Sequence, residues 1–371
     1  MNTFTMNGKP PVADTDAGTL LDPPASTVTP ETKPAAARTL FMQMAAAKRG
    51  TPDLQAAGRL LAEVGDGALF ADATPATRRY LVMAGVTPDP PVKWPGGKRV
   101  LAEQILETLG TGDVYVDPFV GAGSVLLRAL ALGIAPRFVA GDVDRDAILM
   151  WQALQEDAPG LVRVLTRWAR RWVAEDGDEP FYRMPEADYY ELRAINPADL
   201  EGHERTARFI LLNRACFNGL VRRNKNGGDN SPWGGAERVW RIGAANLLRI
   251  GRLVQGVVFV EGDFEATLAA AGPGHLALYL DPPYWPDRLG GFTGYHGSGF
   301  DREDQSRLAK AARAAAERGR VVASNNDVPQ VRALYEGFEV QSVKVARNIA
   351  RNAEGRVKVG EVIMSMGVKV S

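Results

Sequence analysis

Asp281-Pro282-Pro283-Tyr284 sets a carboxylate, two prolines and a phenol ring in a row, directly after the apolar run at residues 276–280. Proline has no N–H to donate, so the two carbonyls are left facing outward beside the carboxylate, and the tyrosine adds a flat face. Two acceptors with an aromatic wall suit an amino group conjugated to a planar base, because both N–H bonds can be held while the ring stacks on the base. The alternative is a strand exit stiffened by proline, with an incidental acid and ring.

A second constellation, Asp117-Pro118-Phe119-Val120-Gly121-Ala122-Gly123-Ser124, lies between an apolar run and a helix-forming segment. Glycines there let the backbone pass close to a ligand, and the start of the following helix offers free N–H groups. On this motif alone, a tight strand-to-helix turn with no ligand reads the same way. The next apolar run ends in Gly141-Asp142-Val143-Asp144. That puts a carboxylate about 20 residues beyond the glycine turn, where the hydroxyls of a nucleoside ribose are held. Leu126 stands where a dinucleotide fingerprint needs its third glycine, so a nucleoside without a pyrophosphate fits better than NAD. Trp94-Pro95-Gly96-Gly97-Lys98 does not complete a phosphate loop, and no strand precedes it. Its glycines also read as a flexible joint.

These motifs need strands and helices to aim them. The runs at 114–116, 138–140, 257–260, 276–280 and 321–323 are short and continuously apolar, as in strands buried in a parallel sheet. Helical stretches fall between them, at 124–132, 145–155 and 302–318. The pattern predicts an α/β doubly wound fold, closed by an antiparallel strand pair over 337–345 and 360–366 at the sheet edge. Both acidic motifs then lie at carboxyl ends of strands, where open α/β sheets bind ligands. Residues 157–252 interrupt the alternation and read as an inserted, mainly helical domain.

The chain has 371 residues, with 44 Lys and Arg against 44 Asp and Glu, so no global field draws in a polyanion. Between Glu204 and Arg252, however, ten basic residues face three acids, an excess of about +7 that marks a phosphate-contacting face. Within it, residues 222–228 read as a turn whose Asn226-Gly227 favours a hairpin able to enter a groove. One cysteine, Cys216, and three histidines make a structural zinc site or a disulfide improbable, so no metal is expected. No secretory signal and no apolar run of about 18 residues is found, which predicts a cytoplasmic protein with no membrane partner. Residues 1–36, rich in Pro, Thr, Ala and Asp, read as a disordered tail, and 37–90 as small helices ending in a Pro-rich linker.

Lys93-Trp94-Pro95-Gly96-Gly97-Lys98, Asp117-Pro118-Phe119-Val120-Gly121-Ala122-Gly123 and Asp281-Pro282-Pro283-Tyr284, in that order with a helical insert before the last, resemble the Dam-like DNA adenine methyltransferases of the alpha class. Asn213-Arg214, Asn218-Gly219-Leu220, Gly262-Asp263-Phe264, residues 292–296 and Arg347-Asn348 agree. The resemblance covers roughly residues 91–366. It implies a Rossmann-like S-adenosylmethionine-dependent methyltransferase sheet built from 91–156 and 253–371, with 157–252 as an inserted DNA-recognition domain. Pro95 stands where the family often has Ala, and Trp285 where smaller residues are common.

What the resemblance implies residue by residue is as follows. Trp94 and Lys98 would help hold S-adenosylmethionine, the lysine near its carboxylate. The turn from Asp117 through Phe119, Gly121 and Gly123 would wrap the methionine portion, Asp142 would take the ribose, and Asp263 would sit near the cofactor adenine. Asp281 would touch the cofactor side while Asp281, Pro282 and Tyr284 grip the target base. Asn218, Leu220, Arg222, Asn224 and Pro232 would belong to the hairpin that reads double-stranded DNA, at a GATC-like site. His296 is a further candidate for contact with DNA or cofactor.

An adenine amino group is a poor nucleophile because its lone pair is delocalised into the ring, so holding its hydrogens and driving it toward tetrahedral geometry is the expected device, with direct in-line transfer of the methyl. Carbon methylation of cytosine needs an activated thiolate. Cys216, in the insert and away from any strand end, reads instead as a small core residue. Methylation of cytosine N4, action on protein glutamine or RNA, and a non-catalytic DNA-binding module remain as alternatives at this stage.

Overall fold

The computed structural model describes residues 87–177, 180–219, 229–285, 299–345 and 359–370. The expectations for 1–36 and for most of 37–90, the 222–228 turn and residues 292–296 lie outside the described residues.

Five strands run parallel: β1 (Val114–Asp117), β2 (Arg137–Asp142), β5 (Val258–Glu261), β6 (Leu276–Leu280) and β7 (Gly319–Asn326). With β8 (Glu339–Val345) and β9 (Val359–Gly367) they form one seven-stranded sheet in the order β5-β2-β1-β6-β7-β9-β8. The last two strands pair antiparallel as expected, but β9 lies inside, against β7, and β8 takes the edge. A small ribbon of β3 (Val173–Glu175) and β4 (Phe181–Tyr182) lies in the insert.

Period-two alternation sorts the strand side chains into two layers. Val114, Val116, Leu276, Leu278, Leu280, Val321 and Ala323 face one core with Phe264 and Leu308. That core is covered by α7 (Phe264–Ala270), α8 (Arg302–Ala316) and α9 (Pro329–Leu334). Tyr115, Ala140, Ala277, Tyr279 and Val322 face the other, with α1 (Ala102–Leu109), α2 (Ser124–Leu132) and α3 (Arg145–Ala169).

The insert belongs to this second layer. Its helices are α4 (Glu186–Ala194), α5 (Gly202–Ala215) and α6 (Ala244–Leu253), and Tyr189, Leu192, Phe209, Leu211 and Leu247 join the same continuous core as Trp151 and Leu154. α3 breaks at the residue where the insert is expected to start: Asp157 leaves helical geometry at φ −152°, ψ 70°, and its carboxylate accepts from Gly160 N at 2.8 Å. Pro159 sits just inside the new segment, where a missing N–H is no loss. At the other end Gln155 Nε2 donates to the carbonyls of Val254 and Val257, at 2.8 and 2.9 Å, which ties the exit of the insert to its entrance.

Candidate active site

The chain leaves β1 toward β2 on one side and returns through β6 on the other, so a topological switch point falls between β1 and β6. Ligands of open α/β sheets bind at such points, beyond the carboxyl ends of the strands. That rim carries Asp117 at the end of β1, Asp142 at the end of β2, Asp263 after β5, Asp281 after β6, and Asn325 and Asn326 at the end of β7.

Asp281 is held by a buried ammonium. Lys98 Nζ lies 2.8 Å from its Oδ1, and the lysine is only 4% exposed against 19% for the acid. The same ammonium donates to the Gly96 carbonyl at 2.6 Å and lies 4.9 Å from the centre of the Tyr284 ring. Burial pushes the Asp281 carboxyl upward, and the Lys98 charge opposes that shift. Asp117, 2% exposed, accepts from Phe119 N at 3.3 Å and from the Tyr115 hydroxyl at 3.2 Å. Burial first, then the nearby Asp281 charge, pushes its pKa up to about 7, against the pull of those two donors.

The glycine turn has φ of +45° at Gly121 and +69° at Gly123, values that L side chains rarely adopt. The room left by their missing side chains is filled from within the chain. A Cβ on Gly121 would come within 2.8 Å of the Trp94 indole nitrogen, and one on Gly123 would run into the Trp151 ring. Trp151 Nε1 donates to the Gly121 carbonyl at 2.9 Å, and Gly121 N donates to Asp142 Oδ2 at 2.9 Å. Trp94, Gly121, Gly123 and Asp142 are therefore brought together, with Asp142 bracing the turn and also accepting from Asp144 N at 2.8 Å.

Beside the turn, three aromatic rings pack together. Phe119 is stacked with Phe264 at 6.2 Å between centres and meets Phe300 edge-on at 5.8 Å. Asp263 caps α7, accepting from Glu265 N and Ala266 N, and its other oxygen is 2.9 Å from Arg307. Arg307 also lies over Phe264, 5.1 Å from the ring centre. A flat, planar ligand head fits against such rings, a hydroxylated ring beside Asp142, and a positive centre near Asp117 and Asp281. Among the described residues no group of three or more His, Cys, Asp or Glu is arranged to hold a metal ion.

Lys98, expected beside the cofactor carboxylate, is engaged with Asp281 in this structure. The basic face expected in the insert is smaller than the charge count gave. Arg208, 2% exposed, is bound to Asp229 at 2.7 Å and to the carbonyls of Leu192 and Arg193. Arg205 pairs with buried Asp146, Arg214 donates to the Pro91 carbonyl, and Arg238 donates to the Arg214 carbonyl. These four hold the insert to itself, to the start of α3 and to the segment before α1. Of the residues expected to read DNA, Asn218 is exposed with φ 55° and Pro232 is exposed, while Leu220, Arg222 and Asn224 lie outside the described residues. Asn213 roots this region: it accepts from Lys93 N at 2.9 Å and donates to the carbonyls of Lys93 and Gly219. Cys216 is buried, with its thiol pushed up to about 11 by desolvation.

A sequence profile of the D12 class N6 adenine-specific DNA methyltransferases matches residues 94–349. The chain belongs to this family. A DNA adenine methylase of Vibrio cholerae is 34% identical over 276 residues, covering 73% of this chain and 94% of that protein. The type II methyltransferase M.MjaIII of Methanocaldococcus jannaschii is 32% identical, over 70% of this chain and 92% of its own length. The DNA adenine methylase of Escherichia coli K12 is 31% identical, over 73% and 93%. The enzyme is thus a Dam-like, adenine-specific DNA methyltransferase on a Rossmann-like sheet.

Several site residues of the enzyme carried no signal that sequence reasoning used. Phe264 follows a recognised Gly-Asp pair, but Phe300 and Arg307 join it only through the fold. Gln305, Asn325 and Asn326 are buried polar side chains around the Asp281 loop. The polar run from Ser324 to Asn326 directly after an apolar run is the available clue, since it forms the end of β7 on the same rim as Asp281.

Proposed function

We propose that the enzyme moves a methyl group from S-adenosylmethionine to the exocyclic N6 of an adenine turned out of duplex DNA, at GATC-like sites. The observation that carries the reading is the Lys98–Asp281 pair beside Pro282 and Tyr284 on the rim next to the glycine turn. The residues fit the cofactor: Asp117, buried, and Asp281, partly buried, are acids beside which a cation is welcome, Phe119, Phe264 and Phe300 offer a wall for its adenine, and Asp142 has a carboxylate to offer its ribose. When bound, S-adenosylmethionine supplies an electrophilic methyl on a positively charged sulfur.

The rest is done by the chain. Asp281 and the Pro282 carbonyl accept the two N6 hydrogens, which weakens conjugation of the amine with the ring and frees its lone pair for in-line attack, and the N6 proton that the methyl displaces passes to the Asp281 carboxylate and on to solvent. Lys98 holds the carboxylate in its accepting form, and Tyr284 stacks on the base, offsetting part of the few kcal/mol spent in unstacking it. Residues 157–252 act as the DNA-recognition insert, with Asn218, Leu220, Arg222, Asn224 and Pro232 at the reading edge.

The test is incubation with labelled S-adenosylmethionine and unmethylated duplex DNA, RNA or protein, followed by base analysis. N6-methyladenine in DNA is the expected product. Label in protein alone, or N4-methylcytosine in place of methyladenine, overturns the reading.

A further inference from the structure

The loop from Asp281 to Trp285 is fixed by three amide side chains that lie outside it. Gln305, fully buried in the first turn of α8, donates from Nε2 to the Pro283 carbonyl at 2.7 Å. Asn325 Oδ1, at the end of β7, accepts from Trp285 N at 3.0 Å, and Asn326 Nδ2 donates to the Trp285 carbonyl at 3.0 Å. The amides also bind each other: Asn325 Nδ2 donates to Gln305 Oε1 at 3.3 Å, and Asn326 N donates to Asn325 Oδ1 at 2.9 Å. Three backbone groups on either side of Tyr284 are thereby tied to two elements of the rigid sheet-and-helix body. None of these amide bonds goes to Pro282.

We infer that Gln305, Asn325 and Asn326 are positioning residues for methyl transfer: they fix the backbone around Tyr284 so that the Pro282 carbonyl is left aimed at the incoming amine. The inference rests on the reading of Asp281 and Pro282 as the amine-holding pair. Its physical basis is the cost of satisfying buried polar groups. Three amides with 0–3% exposure are retained in a core that apolar residues would otherwise fill, and their hydrogen bonds are spent on the loop. A proline-rich loop cannot hold itself, since Pro282 and Pro283 have no N–H to pair. Without outside anchors the loop would settle in several positions, and an offset of about 1 Å at a reacting group costs on the order of 100-fold in rate.

The experiment uses the full chain with Gln305→Met and, separately, Asn326→Leu, each removing one bond to the loop while keeping volume. Single-turnover methylation of an unmethylated duplex is followed, with cofactor and DNA affinities, thermal melting, and fluorescence of 2-aminopurine at the target position. The expected result is a rate constant lower by about 10- to 100-fold with full product amplitude, both affinities within about threefold, and an undiminished 2-aminopurine signal. A merely structural role would instead lower the amplitude and the melting temperature together and leave the rate constant of the folded fraction alone, which overturns the inference. So does an unchanged rate in both variants. Gln305→Met and Asn326→Leu remove different anchors, so the folding of either one suffices to decide the matter. Wild-type turnover on the same duplex reads the functional proposal separately: an inactive wild type with bound cofactor overturns that proposal, and with it the inference.

Discussion

Lys98 binds both oxygens of Asp281, at 2.8 and 3.0 Å, across 183 positions of sequence. Burial drives the carboxyl toward its neutral form, and a neutral acid would donate where the amine needs an acceptor. Removing the lysine charge therefore raises the Asp281 pKa further. For Lys98→Met the acid limb of the single-turnover rate profile is expected to move to higher pH, with a greater loss at pH 6 than at pH 8.5. A limb that stays in place would show that Lys98 does not govern the ionisation of Asp281.

Asp281→Ala is expected to end transfer while the far-ultraviolet circular dichroism stays that of the folded enzyme. The change strands an ammonium that is 4% exposed. Breaking a fully buried pair costs about 3–5 kcal/mol, and the cost here is smaller because the acid is 19% exposed. Thermal melting reads that cost, and turnover above about 1% of wild type would contradict the acceptor role.

Asp117 makes the stability of the enzyme depend on pH. Its folded-state pKa, about 7, stands above the ordinary 3.8, so the folded protein holds the proton more tightly than the unfolded chain. The contribution is greatest below pH 4 and is lost as pH rises toward 7, an effect on the order of a few kcal/mol. Asp117→Asn keeps an oxygen for Phe119 N and has nothing to ionise. It is expected to melt higher than wild type at pH 8 and no higher at pH 4, measured by calorimetry. A constant difference across that range would remove Asp117 as the cause.

The arginines of the insert should separate into two kinds. Arg208→Met breaks the buried pair with Asp229 and takes the donor from the Leu192 and Arg193 carbonyls, so stability falls by about 3–5 kcal/mol while the salt dependence of DNA binding by the folded protein is unaltered. Arg222→Ala is expected to relax the choice at one base pair by about 1–3 kcal/mol without a change in melting. Binding selections on randomised duplexes check the second, and an unaltered sequence preference would take Arg222 out of the reading edge.

Much of this architecture is legible in the residues because each level of the chain repeats the same instruction. The runs at 276–280 and 124–132 match β6 and α2 end to end, since buried parallel strands are written as unbroken apolar runs and α2 is bounded by glycines at 123 and 133. Asp117 and Asp281 were legible for the same reason, since each directly follows such a run, while Asp142 and Asp263 come two and three residues after theirs. Charge counting in the insert was less faithful, because Arg205, Arg208, Arg214 and Arg238 satisfy backbone carbonyls and buried acids that sequence does not pair with them. Gln305 and Asn325 escaped for a related reason. Their partners are backbone groups 22 and 40 positions away, and no local pattern encodes such a meeting.

The break at Asp157 has an implication for anyone rebuilding this protein. Because α3 passes from sheet-covering helix to insert helix without a linker, and Phe209, Leu211 and Leu247 share one apolar interior with Trp151, the segment that follows is no detachable cassette. A chimera cut at 157 and 252 would exchange Phe209, Leu211 and Leu247 of that shared interior along with the proposed reading residues. Transplants that respect the protein's own seams must start after Gly219 and end before Arg238, leaving Asn213, Gly219 and Arg238 to the host.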